Sequence, residues 1–371
     1  MGPSLVLGVD VGNAKLKLCV AGHGPPRWMS RPLPYDDRAR YRRHRDFEIG
    51  IPPLVDELLR EARSEVAMVV VVTSSGYAYP TYREGIVHTM EVIAKALPGA
   101  AAFALAHDGE LVSREAIASG SPELLGALTF TNGVGAAVLA RRLQWLGAPA
   151  SGLVVDTGGT TSQVATLVDG EIEPHVRIDR ARYLEHRLQN GKAAWIGSQT
   201  LPLEYLAREV PVGRRRFPVL PRGVTFDAVV SALELAPREL ATKLSLFGLA
   251  PRKADALRAI ADSVNLDADL ATEDELLGLA RHYLELAIDR LAAELRLALA
   301  AAPEAARRRA LVFGLGGPWL TVPALRRAGV DEQGIAVASR WLAPELAEVA
   351  SCYGACHAGL ERLAGRELSP C

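Results

Sequence analysis

The chain is expected to be an α/β protein built as two related lobes with a ligand cleft between them. Three observations predict this. Short β-branched runs alternate with segments of helical period through all 371 residues. A strand, glycine turn, strand pattern at Leu5–Ala21 returns at Leu153–Val168, about 145 residues later. Each of those turns is entered through an aspartate, Asp10 in the first and Asp156 in the second. A chain of this length exceeds what one hydrophobic core usually serves, so two domains are expected, 1–149 and 150–371, with a stop signal at Gly147-Ala148-Pro149. The last helix is expected to pack back on the N-terminal lobe.

In order along the chain, Leu5–Val9 and Leu16–Ala21 read as a hairpin around the polar turn Asp10–Lys15. Residues 25–41, rich in Pro, Arg and Tyr, read as irregular. Leu54, Val55, Leu58, Leu59 and Ala62 share one helical face over 53–64. Met68–Thr73 is a solid apolar run, as in a strand buried on both faces, and it empties into Ser74-Ser75-Gly76. A helix over 81–97, a strand over 101–105 and a helix over 132–146 complete the first half. In the second, Leu153–Val155 and Gln163–Val168 flank Asp156–Thr161, and helices are expected over 225–235, 237–246 and 272–301. A buried strand, Ala310–Phe313, runs into Gly314-Leu315-Gly316-Gly317-Pro318 ahead of a short helix over 321–328. An Ala-rich helix over 344–363 closes the pattern.

Composition narrows the function. Lys plus Arg number 42 against 43 Asp plus Glu, which gives no electrostatic case for nucleic acid or an anionic membrane. The local basic stretches 38–45 and 214–216 read as solvated segments. No apolar run reaches the roughly 18 residues of a membrane span. Four cysteines make no disulfide framework and no secretory leader is read, so a cytoplasmic protein is expected.

The turns carry the chemistry. In Asp10-Val11-Gly12-Asn13-Ala14-Lys15-Leu16-Lys17, a tight turn at Gly12 and Asn13 exposes backbone N–H groups that suit an anion. Asp10 can hold Mg²⁺ through its carboxylate, and Lys17 returns a point charge to the same place. By itself this segment reads equally as an ordinary hairpin. In Asp156-Thr157-Gly158-Gly159-Thr160-Thr161, Gly158 and Gly159 clear side chains from the main chain, Thr160 and Thr161 add hydroxyls, and Asp156 adds a second metal-facing carboxylate. Two such turns facing each other would grip a polyphosphate. The third turn, Gly314, Gly316 and Gly317, can pass a flat ring across bare backbone or serve as a tight structural turn; Trp319 breaks the dinucleotide fingerprint.

In this order and spacing, the three turns resemble the phosphate-one, phosphate-two and adenosine segments of the actin, sugar kinase and Hsp70 superfamily. Asp156–Thr161 is most similar to its hydantoinase/oxoprolinase branch. The stretches 71–98 and 182–219 resemble tetrahydromethanopterin-linked one-carbon pathway proteins of that branch. The resemblance implies two actin-like (ribonuclease H-like) lobes around a phosphate-binding cleft. It also implies a Mg²⁺-dependent transferase that displaces pyrophosphate from an aminomethyl-furanmethanol pyrophosphate with the phenol of γ-glutamyltyramine, as in methanofuran biosynthesis. Asp10, Lys17 and Asp156 are then the candidate catalytic residues, with Asp10 and Asp156 on the metal. Thr73, Ser74 and Lys192 would join the third-turn glycines in a nucleotide or substrate pocket. The sequence departs from the family at Asn13, at Ser74–Tyr77 and at Pro318-Trp319.

Other readings stay open. The same fold serves ATP-dependent kinases and amidohydrolases of the oxoprolinase type, with ATP as a further cofactor, and non-enzymatic nucleotide-switched scaffolds. In each the partner is a small phosphorylated molecule. Cys352 and Cys356, four apart on the last helix, read as buried packing residues, since no second pair completes a metal site. Tyr77, Tyr79 and Tyr82 read equally as an aromatic substrate wall or as cover for the cleft edge.

Overall fold

The computed structural model describes residues 4–12, 15–32, 44–60, 65–73, 79–144, 147–173, 182–236 and 252–367. The expected helix over 237–246, most of the basic stretch 38–45, Asn13 and Ser74–Tyr77 lie outside these residues.

The first sheet comprises β1 (Leu5–Val11), β2 (Lys15–Ala21), β3 (Arg27–Pro32), β4 (Val66–Thr73), β5 (Ala101–Leu105) and β6 (Leu111–Ser113), in the order β3-β2-β1-β4-β5-β6. β1, β2 and β3 form an antiparallel meander, and β4 and β5 continue from β1 in parallel. The second sheet comprises β7 (Gly152–Thr157), β8 (Ser162–Val168), β9 (Glu171–Ile172) and β10 (Ala193–Ala194). The hairpin β11 (Glu209–Val212) and β12 (Arg215–Pro218) stands apart from it, and β13 (Ala310–Phe313) and β14 (Ile335–Val337) complete it in the order β10-β8-β7-β13-β14. Here too an antiparallel hairpin, β7–β8, is followed by two parallel strands on the β7 side. The repeated Asp–Gly turns therefore sit at equivalent strand ends of two sheets with the same plan.

Side-chain chemistry explains the elements. Val66–Thr73 is almost entirely apolar and packs both faces, as a central parallel strand must. The helix Glu273–Ala301 opens with a capping box in which the Thr272 hydroxyl and the Glu275 carboxylate satisfy each other's backbone N–H. Two helices fill the space between the sheets. Ala350–Glu367 packs on β1, β2 and β4, Asn132–Leu143 packs on β7 and β8, and the two helices pack on each other. Their side chains share one core with both sheets, in which Val6, Val70, Val138, Val154, Leu311 and Ala355 are buried together.

Three expectations need correction. Arg27–Pro32, read as irregular, is the strand β3; it lies at the sheet edge and pairs only with β2, a position that tolerates nearby prolines. The helix expected from residue 53 spans His44–Leu59, with Pro52 and Pro53 inside it rather than at its start. The closing helix is two, Pro344–Glu348 and Ala350–Glu367, because Val349 leaves helical geometry at φ −100°, ψ 24°.

Candidate phosphate site between the lobes

Asp10 ends β1 directly across from Lys17 on β2, and the Lys17 ammonium lies 3.7 Å from Asp10 Oδ2. Side chains alternate along a strand, so Lys15 shares the face of Lys17. Gly12 closes the turn by donating its N–H to the Lys15 carbonyl at 2.9 Å. From the other lobe, Asp156 ends β7, and Gly158 repeats the closure with Thr161 at 2.9 Å. The two turns face one cavity, lined by Asp10, Gly12, Lys15 and Lys17 on one side and by Gly158–Thr161 on the other. Both halves of the phosphate grip read from the sequence thus meet in space.

A loop holds the second turn. The amides of Ser198, Gln199 and Thr200 donate to the carbonyls of Gly158 and Gly159 at 2.8–3.0 Å, so those acceptors are already engaged. Thr200 and Gln163 donate to the Thr160 and Thr161 hydroxyls at 3.0 and 3.2 Å. A side chain at Gly159 would lie 2.5 Å from Gln199 Oε1, the movable end of a side chain that lines the same cavity.

The charges are dense and buried. Besides Asp10 and Asp156, a third carboxylate enters: Glu348 lies 3.6 Å from the Lys15 ammonium and accepts from the Ser30 hydroxyl at 3.2 Å. Ser351, at the start of the last long helix, donates to Asp10 Oδ2 at 2.5 Å. Burial raises Asp156 to about 6, with Asp10 and Glu348 adding to the effect and Lys17 opposing it. Burial lowers Lys15 to about 8 against the pull of Glu348, with Lys17 adding to the fall. Burial disfavours the charged form of Lys17 too, but Asp10, Asp156 and Glu348 outweigh it and hold that ammonium above its ordinary value.

A divalent cation fits this donor set. Asp156 Oδ1 is buried with no hydrogen-bond partner, and three carboxylates stand against two ammonium groups. Among the described residues, no cluster of three or more His, Cys, Asp or Glu side chains is placed to hold a metal. Mg²⁺ would therefore lean on Asp10 and Asp156 and draw its other oxygens from phosphate and water, which is its habit.

The remaining predicted residues divide. Gly314 lines the cleft beside Leu315, while its φ of +81° and the Thr157 carbonyl, 2.3 Å from any added Cβ, demand glycine. Gly316 and Gly317 are buried instead: side chains there would strike Thr157 Cγ2 and Val312 Cγ1. They pack the turn onto β7 and β13 and offer no open surface. Thr73 ends β4 beside Val11. Lys192 does not reach the cleft. Its ammonium is buried 2.5 Å from Glu173 Oε2, behind the second turn, where Arg187 holds Gln163 Oε1 at 2.9 Å. Cys352 and Cys356 are buried, and Cys356 donates to the Val6 and Cys19 carbonyls. Of the tyrosines, Tyr79 is buried and bonded to His88 at 2.8 Å, whereas Tyr82 is exposed. Lys15, Glu348, Ser351, Gln199, Phe130 and Asn132 also belong to the site and were not singled out in the sequence. Only the alternation of Lys15 with Lys17 could have flagged any of them.

Neither a protein-family model nor a curated protein matches this sequence. Among solved structures, the chain is similar to a nucleotide-free acetone carboxylase, described for ATP-dependent acetone carboxylation. Identity is 12% and the TM-score 0.56, over 95% of this chain and 70% of that one. Looser likenesses include the ethanolamine utilization protein EutJ from Carboxydothermus hydrogenoformans, at 14% identity and TM-score 0.41, over 96% of this chain and 91% of that one. Another is a putative N-acetylmannosamine kinase from Listeria monocytogenes, at 12% and 0.43, over 97% and 99%. At such identities the likeness concerns the fold. The duplicated sheet plan, together with the likeness to the acetone carboxylase, makes the chain an α/β protein of two actin-like (ribonuclease H-like) lobes around a cleft.

Proposed function

We propose that this chain is a Mg²⁺-dependent transferase whose donor is a phosphate anhydride held between the two turns, with ATP as that donor in the manner of a kinase. The observation that carries this reading is the convergence of Asp10 and Lys17 from one lobe and Gly158–Thr161 from the other on one cavity, with Asp156 buried just behind it and close enough to Lys17 to act on its charge. The backbone amides and hydroxyls would take the phosphate oxygens, and the lysines would offset charge as the leaving group departs. The acetone carboxylase of similar fold is ATP-dependent, and this reading extends that dependence to the present chain. Asp10 and Asp156 would hold a Mg²⁺ that would supply further charge neutralisation at the same oxygens.

A second reading keeps the leaving-group chemistry and changes the donor to a pyrophosphate ester. Its sharpest form is the furanmethanol pyrophosphate and γ-glutamyltyramine condensation implied by the family resemblance. One observation favours it: the third turn spends Gly316 and Gly317 on packing against the protein and not on a nucleoside surface. A thermal-shift series with ATP, ADP and pyrophosphate, each with and without Mg²⁺, separates the two. Stabilisation by Mg²⁺–ATP beyond Mg²⁺–pyrophosphate supports the kinase reading, and the reverse order supports the ester. Stabilisation by none of them sinks both. Asp156→Ala should abolish any metal-dependent shift.

A further inference from the structure

A buried guanidinium stands behind the second turn. Arg187, on the helix Tyr183–Gln189, is wholly enclosed, and its hydrogen-bond partners among the described residues are all neutral. Its Nη2 donates to Gln163 Oε1 at 2.9 Å, to the Val164 carbonyl at 3.1 Å and to the Lys192 carbonyl at 2.7 Å. Its Nη1 donates to the Tyr183 hydroxyl at 3.3 Å, and the Tyr183 ring lies against His107 of the first lobe, centroids 3.9 Å apart. Gln163, buried as well, joins this guanidinium to the cleft. Its amide nitrogen donates to Thr161 Oγ1 at 3.2 Å, and Thr161 lines the phosphate cavity.

The direction of every hydrogen bond in this chain is fixed. A guanidinium can only donate, so the oxygen of the Gln163 amide must face Arg187 and its nitrogen must face Thr161. The Thr161 oxygen is thereby engaged as an acceptor, and its own proton has no acceptor among the described residues. That proton is left for a ligand in the cavity. A glutamate at position 163 would pair with the buried guanidinium more strongly, but it would carry no donor for Thr161. The neutral amide accepts from one neighbour while donating to the other. Gly133 keeps room for it at the start of the helix Asn132–Leu143, where an added Cβ would lie 2.8 Å from Gln163 Cβ.

We propose that Gln163 and Arg187 are positioning residues of the phosphate grip, which hold the Thr161 hydroxyl with its proton directed at a phosphate oxygen. This rests on the phosphate reading of the cavity and deepens it, because a donor aimed before the ligand arrives costs no reorganisation on binding. Neither Gln163 nor Arg187 lines the cavity, so both act through Thr161.

The test is a double-mutant cycle read by calorimetric titration of Mg²⁺–pyrophosphate into the full chain, with melting curves to show that each variant is folded. Thr161→Val should weaken binding about tenfold, as the loss of one hydrogen bond to a charged oxygen, and Thr161→Ser should bind as the native chain does. In Gln163→Glu, the carboxylate accepts from Arg187 and takes the Thr161 proton for itself. Its charge repels the ligand whether or not the hydroxyl is present, so the cycle isolates the hydroxyl. Thr161→Val should therefore cost less than about twofold in the Gln163→Glu background. Arg187→Met supplies a second background, since it frees the amide to turn its oxygen toward Thr161, and the cost of Thr161→Val should shrink there too. A merely structural role for Gln163 and Arg187 would lower the melting temperature and leave that cost at its native value. A cost that stays near tenfold in both backgrounds overturns the proposal and leaves the phosphate reading standing. Native affinity in Thr161→Val does the same. If the native chain binds neither Mg²⁺–pyrophosphate nor Mg²⁺–ATP, both fall.

Discussion

Asp10 and Ser351 stand 341 positions apart, and the Ser351 hydroxyl donates to Asp10 Oδ2 at 2.5 Å. The start of the last long helix is thus tied to the first Asp–Gly turn. The break at Val349 makes this possible, because it places Glu348 against Lys15 and Ser351 against Asp10 on successive segments. Ser351→Ala removes a hydrogen bond to a buried carboxylate, at a cost of about 1–3 kcal/mol in folding stability. It should also weaken Mg²⁺–pyrophosphate binding, because Asp10 loses the group that orients it. Urea unfolding and calorimetric titration check the two effects separately.

Asp156 makes stability depend on pH. Its folded pKa of about 6 lies above the ordinary 3.8, so the folded protein holds its proton through a range where the unfolded chain has released it. Stability from this group is complete below the unfolded value and is lost as pH rises from about 4 through about 6. Asp156→Asn keeps a neutral side chain throughout. Without metal, it should be more stable than the native chain above pH 6, by at most roughly 3 kcal/mol, with the difference fading below pH 4. With Mg²⁺ and pyrophosphate, the native chain should gain stability and the variant should not. Melting curves between pH 4 and 8 decide it.

Lys15 sets the other limit. Its folded pKa of about 8 means that the ammonium is lost in mildly alkaline solution, well before an ordinary lysine titrates. Mg²⁺–pyrophosphate affinity should therefore rise through about pH 6 as Asp156 ionises, and fall above about pH 8 as Lys15 discharges. Lys15→Gln should weaken binding at pH 7 and flatten the alkaline limb while leaving the acid limb in place. A native alkaline limb that persists unchanged in the variant would assign it to another group.

The fold and the core of the site were legible because they rest on local patterns. The strand, Asp–Gly turn, strand segments around Asp10 and Asp156 repeat in the sequence, and the two sheets repeat the same way. What stayed hidden depends on contacts between distant segments. Glu348 and Ser351 sit in a segment of uniform helical period, and nothing local marks the break at Val349. Phe130 reads as an ordinary core phenylalanine, and only the cavity it shares with Gly12 and Gly158–Thr161 makes it notable. Lys192 misled for the same reason: a lysine after Asn190-Gly191 looks accessible, yet Glu173 meets it in the interior.

That last pair separates a structural role from a binding one. Lys192 and Glu173 are both buried, with 2.5 Å between their charged atoms, and Glu173 also accepts the Thr166 N–H at 3.0 Å. Burial pulls the Lys192 pKa down, and Glu173 holds it up. Lys192→Met leaves the carboxylate buried without its counter-charge, which costs about 3–5 kcal/mol. The double variant Lys192→Met, Glu173→Gln should recover most of that loss, since a neutral amide needs no counter-charge and its oxygen can still accept the Thr166 N–H. Per folded molecule, Mg²⁺–pyrophosphate affinity should be unchanged in the double variant, because neither residue lines the cavity. A tenfold or greater loss of affinity there, with stability restored, would return Lys192 to the ligand site.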